Sequence, residues 1–288
     1  MPLDPDKLLN LHIPEVRHTL TWRDTIIYAL GLGYGANPLD EEELKFVDET
    51  KLKAVPAMAN VLAYPGFWIR DLDTGIDWVK VVHGEQSVRI LRPLPTEGTL
   101  SGQTRVVDLV DKGEKGALVI SERAIVDEAS GETVATIRQT GFCRGAGGFG
   151  GKRESDHVPQ PIPNRPPDES VTLPTADGLA LIYRLSGDYN PLHADPEVAK
   201  RAGFPKPILH GLATFGIACR GLMQALCDNE PERVRGQDGR FSSPVYPGDA
   251  ITVDMWREEP GVASYVARVA EREVTVLANG RFEYDAVH

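Results

Sequence analysis

The spacing of apolar residues changes character twice along this chain. Near the start, Thr19-Leu-Thr-Trp22 precedes a helix-like stretch from Asp24 to Tyr34, with Asp24 as the expected N-cap. Ala54 to Trp68 is apolar and interrupted by Pro56 and Pro65, which leaves room for a buried helix between them. From Trp78 onward Val, Ile and Thr dominate. Trp78–Val82, Ser87–Leu91, Thr99–Val110, Gly116–Asp127 and Thr133–Phe142 read as strands, punctuated by Pro93, Pro95, Gly98, Gly113 and Gly131. Helix first and antiparallel hairpins afterwards indicate α+β, not an alternating βαβ sheet. The same cycle then recurs. From Gly211 to Cys227 apolar side chains populate nearly every face, the mark of a buried helix. Ala250–Trp256, Ala263–Ala270 and Glu273–Tyr284 follow as strands.

Between the two cycles lies Gly145-Ala-Gly-Gly-Phe-Gly-Gly151, then a tract holding Pro159, Pro161, Pro163, Pro166 and Pro167. So little apolar surface is available there that a linker is expected, flexible and then stiff. Residues 1–144 thus form an N-terminal half, 145–170 the linker and 171–288 a C-terminal half. Residues 145–150 match G-x-G-x-x-G literally, yet charged and proline-rich sequence follows where a dinucleotide site needs a helix start. The halves align internally. Tyr28-Ala-Leu-Gly-Leu-Gly-Tyr-Gly-Ala-Asn-Pro-Leu-Asp40 lies alongside Tyr183-Arg-Leu-Ser-Gly-Asp-Tyr-Asn-Pro-Leu-His193 with a two-residue insertion, and Arg92-Pro-Leu-Pro95 alongside Ser243-Pro-Val-Tyr-Pro247. Where the second copy has Asp188 and His193, the first has Gly33 and Asp40.

Composition narrows the classes. With 288 residues the chain is long enough for one large domain or two ordinary ones. A net charge of −11 argues against a nucleic-acid binder, whose affinity comes from basic surface. No apolar run approaches the roughly 20 residues that span a bilayer, so no membrane partner is expected. Met1-Pro-Leu-Asp-Pro-Asp-Lys7 has no apolar leader and Asp285-Ala-Val-His288 no peroxisomal address, so a cytoplasmic location is expected. Cys143, Cys219 and Cys227 show no metal-like spacing and read as reduced, buried thiols.

The chemistry concentrates in 183–211. Asp188, Asn190 and His193 crowd a turn punctuated by Gly187 and Pro191. A carboxylate, a carboxamide and an imidazole so close can hold and deprotonate one water; an Asx-turn leading into a helix explains the same residues structurally. Gly211 opens the buried helix, where free N–H groups and the helix dipole favour an oxygen gaining negative charge. Asp188, His193, Asp195 and His210 could in principle ligate one ion, but their spacing fits no recognised pattern and no metal is expected.

Ser186-Gly-Asp-Tyr-Asn-Pro-Leu-His193, Ala202-Gly-Phe204 and Pro207-Ile-Leu-His-Gly211 resemble the hydratase 2 motif of MaoC-like (R)-specific enoyl-CoA hydratases. His83-Gly-Glu-Gln86 and Arg92-Pro-Leu-Pro95 are similar to the N-terminal half of the double-hotdog members. The resemblance implies two hotdog units, each a long central helix wrapped by an antiparallel sheet. It implies reversible syn addition of water to a trans-2-enoyl-CoA, giving (3R)-3-hydroxyacyl-CoA, with no cofactor beyond the CoA of the substrate. Asp188 and His193 would then be the acid/base pair, Asn190 would help to hold the water, and the Gly211 N–H would bind the thioester oxygen. Further substrate contacts implied are His83, Gly84, Lys112, Tyr189, Pro191, Leu192 and Phe241. Two alternatives stay open: a dehydratase acting on a carrier-bound or specialised 3-hydroxyacyl thioester, and an acyl-CoA-binding protein without turnover. A homodimer is expected from base rates alone.

Overall fold

The structure is a computed structural model that describes residues 2–286. Met1, Val287 and His288, read above as parts of the termini, lie outside the described residues. The first half contains α1 (Pro5–Leu9), β1 (Val16–Leu20), α2 (Trp22–Leu30), α3 (Glu41–Leu44), α4 (Trp68–Asp71), β2 (Val81–Ile90), β3 (Gly98–Asp111), β4 (Gly116–Asp127) and β5 (Glu132–Arg144). The second contains β6 (Glu169–Pro174), α5 (Leu179–Tyr183), α6 (Pro196–Arg201), α7 (Gly211–Leu226), β7 (Val234–Phe241), β8 (Ala250–Glu259), β9 (Val262–Val269) and β10 (Val274–Tyr284).

All ten strands form one antiparallel sheet in the order β1-β3-β4-β5-β2-β7-β10-β9-β8-β6. Read outward from the β2–β7 seam, the two halves have the same strand order. The internal repeat is therefore a repeat of topology. At the seam Glu85 to Arg89 pair with Arg240 to Gly236, so the halves share backbone hydrogen bonds. Tyr28 and Tyr183, equivalent in the repeat, lie with ring centroids 5.7 Å apart. A Cβ on Gly31 would sit 3.0 Å from the Tyr183 Cα, so α2 and α5 cross as closely as backbones allow.

The strand pattern was legible for most of the sheet, with three omissions. β1, β6 and β7 are short or polar, as in Val234-Arg-Gly-Gln-Asp-Gly-Arg-Phe241, and carry no clean alternation. Trp78–Lys80, expected as strand, is a 3-10 turn; Val81 and Val82 join Ser87–Ile90 in one strand, β2, whose register shifts between His83 and Glu85. The N-cap of α2 is Thr21, not Asp24. Asp24 sits three residues on and closes a capping box, its carboxylate accepting from the Thr21 N–H at 2.9 Å.

Among the described residues, only the C-terminal half has a long central helix. α7 runs for sixteen residues, twelve of them buried. In the first half the segment between Pro56 and Pro65 makes just a 3-10 turn, Pro56–Asn60, every residue of which is buried. The chain then turns back through Ala63, held at φ 45° with its N–H donated to His18 Nδ1. Gly102 makes room for that turn, because a Cβ there would meet the Ala63 oxygen at 2.5 Å.

The linker is pinned, contrary to the flexibility its glycines suggested. Asp111 is fully buried, and its carboxylate accepts the N–H groups of Gly113, Gly148 and Gly150, each at 2.8 Å. Those bonds, led by Gly148, draw its pKa down to about 2. Further along, Trp256 Nε1–H donates to the Arg165 carbonyl at 2.9 Å, and Asn279 donates to that of Gln160 at 2.9 Å. Polar groups at several points of this tract thus have partners on the body, which sequence composition does not reveal.

A buried ion pair joins the halves. Arg220, on α7, donates through Nε to Glu43 of α3 at 2.8 Å, through Nη2 to the same oxygen, and through Nη1 to the Leu32 carbonyl at 3.1 Å. Both side chains are under one-tenth exposed. Breaking such a pair leaves an uncompensated buried charge. Arg220→Ala is expected to lose about 3–5 kcal/mol in urea unfolding, and Arg220→Met with Glu43→Leu to recover most of it. An undiminished single variant would show that water reaches the pair.

Candidate active site

The turn after α5 is built by its own polar side chains. Gly187 adopts φ 114°. The Asp188 carboxylate accepts the Asn190 N–H at 3.1 Å, and the Asn190 side-chain oxygen accepts the Leu192 N–H at 3.0 Å. Asn190 thereby caps the 3-10 turn Pro191–His193, and Asp195 caps α6 through the N–H groups of Glu197 and Val198. The Asx-turn is thus present, and it serves to present Asp188 and His193 from one short segment.

His193 is 8% exposed. Its Nδ1 lies 2.9 Å from the Ile208 carbonyl, which can only accept, so Nδ1 carries the proton and Nε2 keeps a free lone pair. Burial lowers its pKa below the ordinary 6.5. Behind it lies His210, 1% exposed, with ring centroids 3.7 Å apart and planes 26° from parallel. By the same reasoning His210 Nε2–H donates to the Asp188 carbonyl at 3.1 Å. Asp188, His193 and His210 each bring one side-chain N or O atom within 4.8 Å of the others, close enough for one water or one cation. Asp195, considered with them from the sequence, is occupied at α6.

Gly211 follows as the first residue of α7, and no side chain caps that end. Its N–H has no acceptor within the helix and carries the positive end of the dipole. A Cβ on Gly211 would stand 3.2 Å from the Phe241 ring, so glycine lets Phe241 close over this helix start. Phe241 in turn packs on His83, ring centroids 4.5 Å apart. His83 donates through Nε2 to the Gln86 side-chain oxygen at 2.9 Å, and Gln86 donates to Asn60 at 2.7 Å. Burial takes its pKa to about 4. Both halves therefore contribute walls, β2 from the first and β7 and α7 from the second.

The field of Asp188 reaches His83, Tyr64, Tyr183, His193 and His210. Tyr64 and Tyr183 were not singled out as functional from the sequence, and His210 only as a possible metal ligand. Leu209-His-Gly211 was the available signal for His210; nothing local marks Tyr64. Gly84 lies beside His83 on β2, with the Thr140 carbonyl 3.2 Å from where a Cβ would be. Tyr189, 59% exposed, stands under the Arg184 guanidinium, and Pro191 and Leu192 form the short 3-10 turn beside it. Lys112 is placed elsewhere. It lies beyond the end of β3, three strands from β2, roughly 14 Å at the usual strand spacing. Its amine donates to the Arg153 carbonyl at 2.8 Å, so it holds the linker and is not brought to this cluster.

Residues 158–279 match the family described as MaoC like domain, and residues 18–145 the family described as MFE-2 hydratase 2 N-terminal domain. The chain is 39% identical over 294 residues to 3-hydroxyacyl-thioester dehydratase Y of Mycobacterium tuberculosis, covering 99% of this chain and 100% of the relative. It is 38% identical to the peroxisomal enoyl-CoA hydratase 2 of Arabidopsis thaliana, covering 95% and 93%. Among solved structures, a MaoC-like dehydratase from Phytophthora capsici superposes with a TM-score of 0.89 at 37% identity, covering 99% of this chain and all of that one.

Burial sets a pH signature that owes nothing to function. A buried imidazole resists protonation, so the folded-state pKa falls below the unfolded value. The stability this contributes is complete above about pH 6.5 and is lost as pH falls through the folded values. Histidine Cε1–H resonances should therefore show His83 and His210 titrating near 4 and His193 below 6.5. A His193 midpoint above 6.5 would contradict the burial described.

Proposed function

This chain belongs to the MaoC-like hydratase 2 family of double-hotdog hydro-lyases, and from that premise we propose that it reversibly hydrates trans-2-enoyl-CoA to (3R)-3-hydroxyacyl-CoA. The observation that carries the reading is the juxtaposition of the free Nε2 of His193 with the Asp188 carboxylate beside the open N–H of Gly211.

Hydration needs a base to take a proton from water as the oxygen attacks C3. Negative charge then moves through C2 to the thioester oxygen, and a proton must reach C2 on the same face. His193 Nε2 and the Asp188 carboxylate are both acceptors at neutral pH, so one water can donate a proton to each. Both lone pairs of the water oxygen then stay free, and one of them can face C3. Whichever group takes the proton can return it to C2, which makes the addition syn. The Gly211 N–H receives the thioester oxygen, where a helix start opposes least the growth of negative charge. Such chemistry needs neither a metal nor a redox cofactor. Asn190 fixes the turn through its oxygen and keeps its amide for the water.

The reverse reaction crosses the same transition state, and the M. tuberculosis relative is named for dehydration of a thioester, so direction follows from concentrations. An acyl-CoA-binding protein without turnover is disfavoured, because binding alone needs no acid/base pair. Among the described residues no helix is long and apolar enough to cross a membrane. Cytoplasmic residence and a homodimer are further parts of this proposal. Fractionation tests the first, since the Arabidopsis relative is named peroxisomal; sedimentation tests the second.

Crotonyl-CoA and decenoyl-CoA hydration, followed at the enone absorbance, should give the (3R) product by chiral analysis. Asp188→Asn and His193→Gln should each lower kcat by about 10²–10⁴-fold, the usual worth of one acid/base group. An (S) product, or undiminished rates in both variants, would sink the mechanism. The first half has a short 3-10 turn where the second has its long helix, and on this proposal the acyl chain is accommodated on that side, so kcat/KM should rise from crotonyl to decenoyl substrates. Equal values at both lengths would leave that space without a role.

A further inference from the structure

His210 contacts both members of the candidate acid/base pair, yet the mechanism above gives it no task. Its ring supports that of His193 along a full face, 3.7 Å between centroids. Its Nε2–H reaches the Asp188 backbone carbonyl at 3.1 Å. It is itself held rigidly. As the N-cap residue of α7 it takes the Thr214 N–H on its carbonyl at 3.1 Å, and its ring packs on Tyr183 with centroids 5.0 Å apart.

The turn carrying Asp188 needs such an anchor. Its internal bonds, Asp188 to Asn190 and Asn190 to Leu192, are local and fix the shape of the turn, not its place in the molecule. The neighbouring side chains Leu185 and Tyr189 are 54% and 59% exposed and supply little packing. His193 is fixed independently through Ile208. Without His210 the two reacting groups would hang from separate supports.

We infer that His210 is a positioning residue for the proposed hydration: one rigid imidazole, fixed at the start of the buried helix, sets the distance between Asp188 and His193. The inference rests on the hydratase reading. The arrangement requires a neutral ring, because a second cation stacked on His193 would oppose protonation of its base. Burial keeps His210 neutral, reinforced by His193 itself and, more weakly, by Arg184, against the opposing pull of Asp188. Its other nitrogen, Nδ1, is buried with no hydrogen-bond partner, so the tether through Nε2 is the ring's one polar commitment to the protein.

Two substitutions divide the role. His210→Phe keeps a flat ring against His193 and removes the tether; His210→Gln keeps an amide N–H at the reach of Nε2 and removes the plate. Each should lower kcat with crotonyl-CoA by tenfold or more, leave KM within about threefold, and preserve cooperative thermal unfolding. Retention of at least half the wild-type kcat in either variant overturns the inference. So does a loss confined to KM. Should a variant not fold, long-range ¹H–¹⁵N spectra of the wild-type protein decide: the inference requires His210 as the Nε2–H tautomer, titrating well below the ordinary 6.5. An Nδ1–H tautomer, or titration near 6.5, overturns it whatever the variants do. Wild-type protein inert toward every enoyl-CoA would instead overturn the hydratase reading first, and with it the role defined on that reaction.

Discussion

Everything at the site hangs on the burial of one helix. α7 is apolar on nearly every face and its one charged residue, Arg220, is buried and paired, so no arrangement that leaves most of it in water can hold it. Ten strands curve round it, and the β2–β7 seam lets the two halves act as a single wrapper. Large side chains from both halves, Tyr28 and Phe46 as well as Phe215 and Phe282, fall into one continuous core. A helix so constrained cannot shift along its axis. Its first residue, with an unspent N–H, is therefore fixed relative to β2 and β7, and so are His210 just before it and Phe241 across from it.

The second unit is incomplete, and the incompleteness is organised. A full helix beneath β2 to β5 is precluded by Pro56 and Pro65, and the chain instead folds back through Ala63 against Gly102. Asp40, which stands where the other copy has His193, caps α3. That places Glu43 to meet Arg220. The residue lost to chemistry in one copy thus helps to hold the two copies together. A buried ion pair of this kind adds little net stability but penalises any alternative docking of the halves.

The cluster around Asp188 is unusual in holding three imidazoles, His83, His193 and His210, all biased toward neutrality by burial. Each has one nitrogen committed to an acceptor, respectively Gln86, the Ile208 carbonyl and the Asp188 carbonyl. Tautomers are therefore set by structure and not by pH near neutrality. A neutral base with a fixed lone pair suits removal of a proton from water, since no prior deprotonation is needed.

The amino-acid sequence determined much of this. Its periodicities gave the α+β class, seven of the ten strands in whole or part, and the buried helix starting at Gly211. Its internal repeat foretold the two like halves and the asymmetry between Asp188 with His193 and Gly33 with Asp40. These are local or self-referential signals, carried by residue spacing. Tertiary structure alone decided the rest. β1, β6 and β7 are strands because neighbours pair with them. The glycine tract is fixed because Asp111, far earlier in the chain, turns its carboxylate onto it. Lys112 resembled a substrate contact but sits three strands away. His210 gained its place between the two reacting residues only when α7 was buried. Spacing along a chain reports which face a side chain presents; what stands opposite that face is settled by pairing and packing between distant segments.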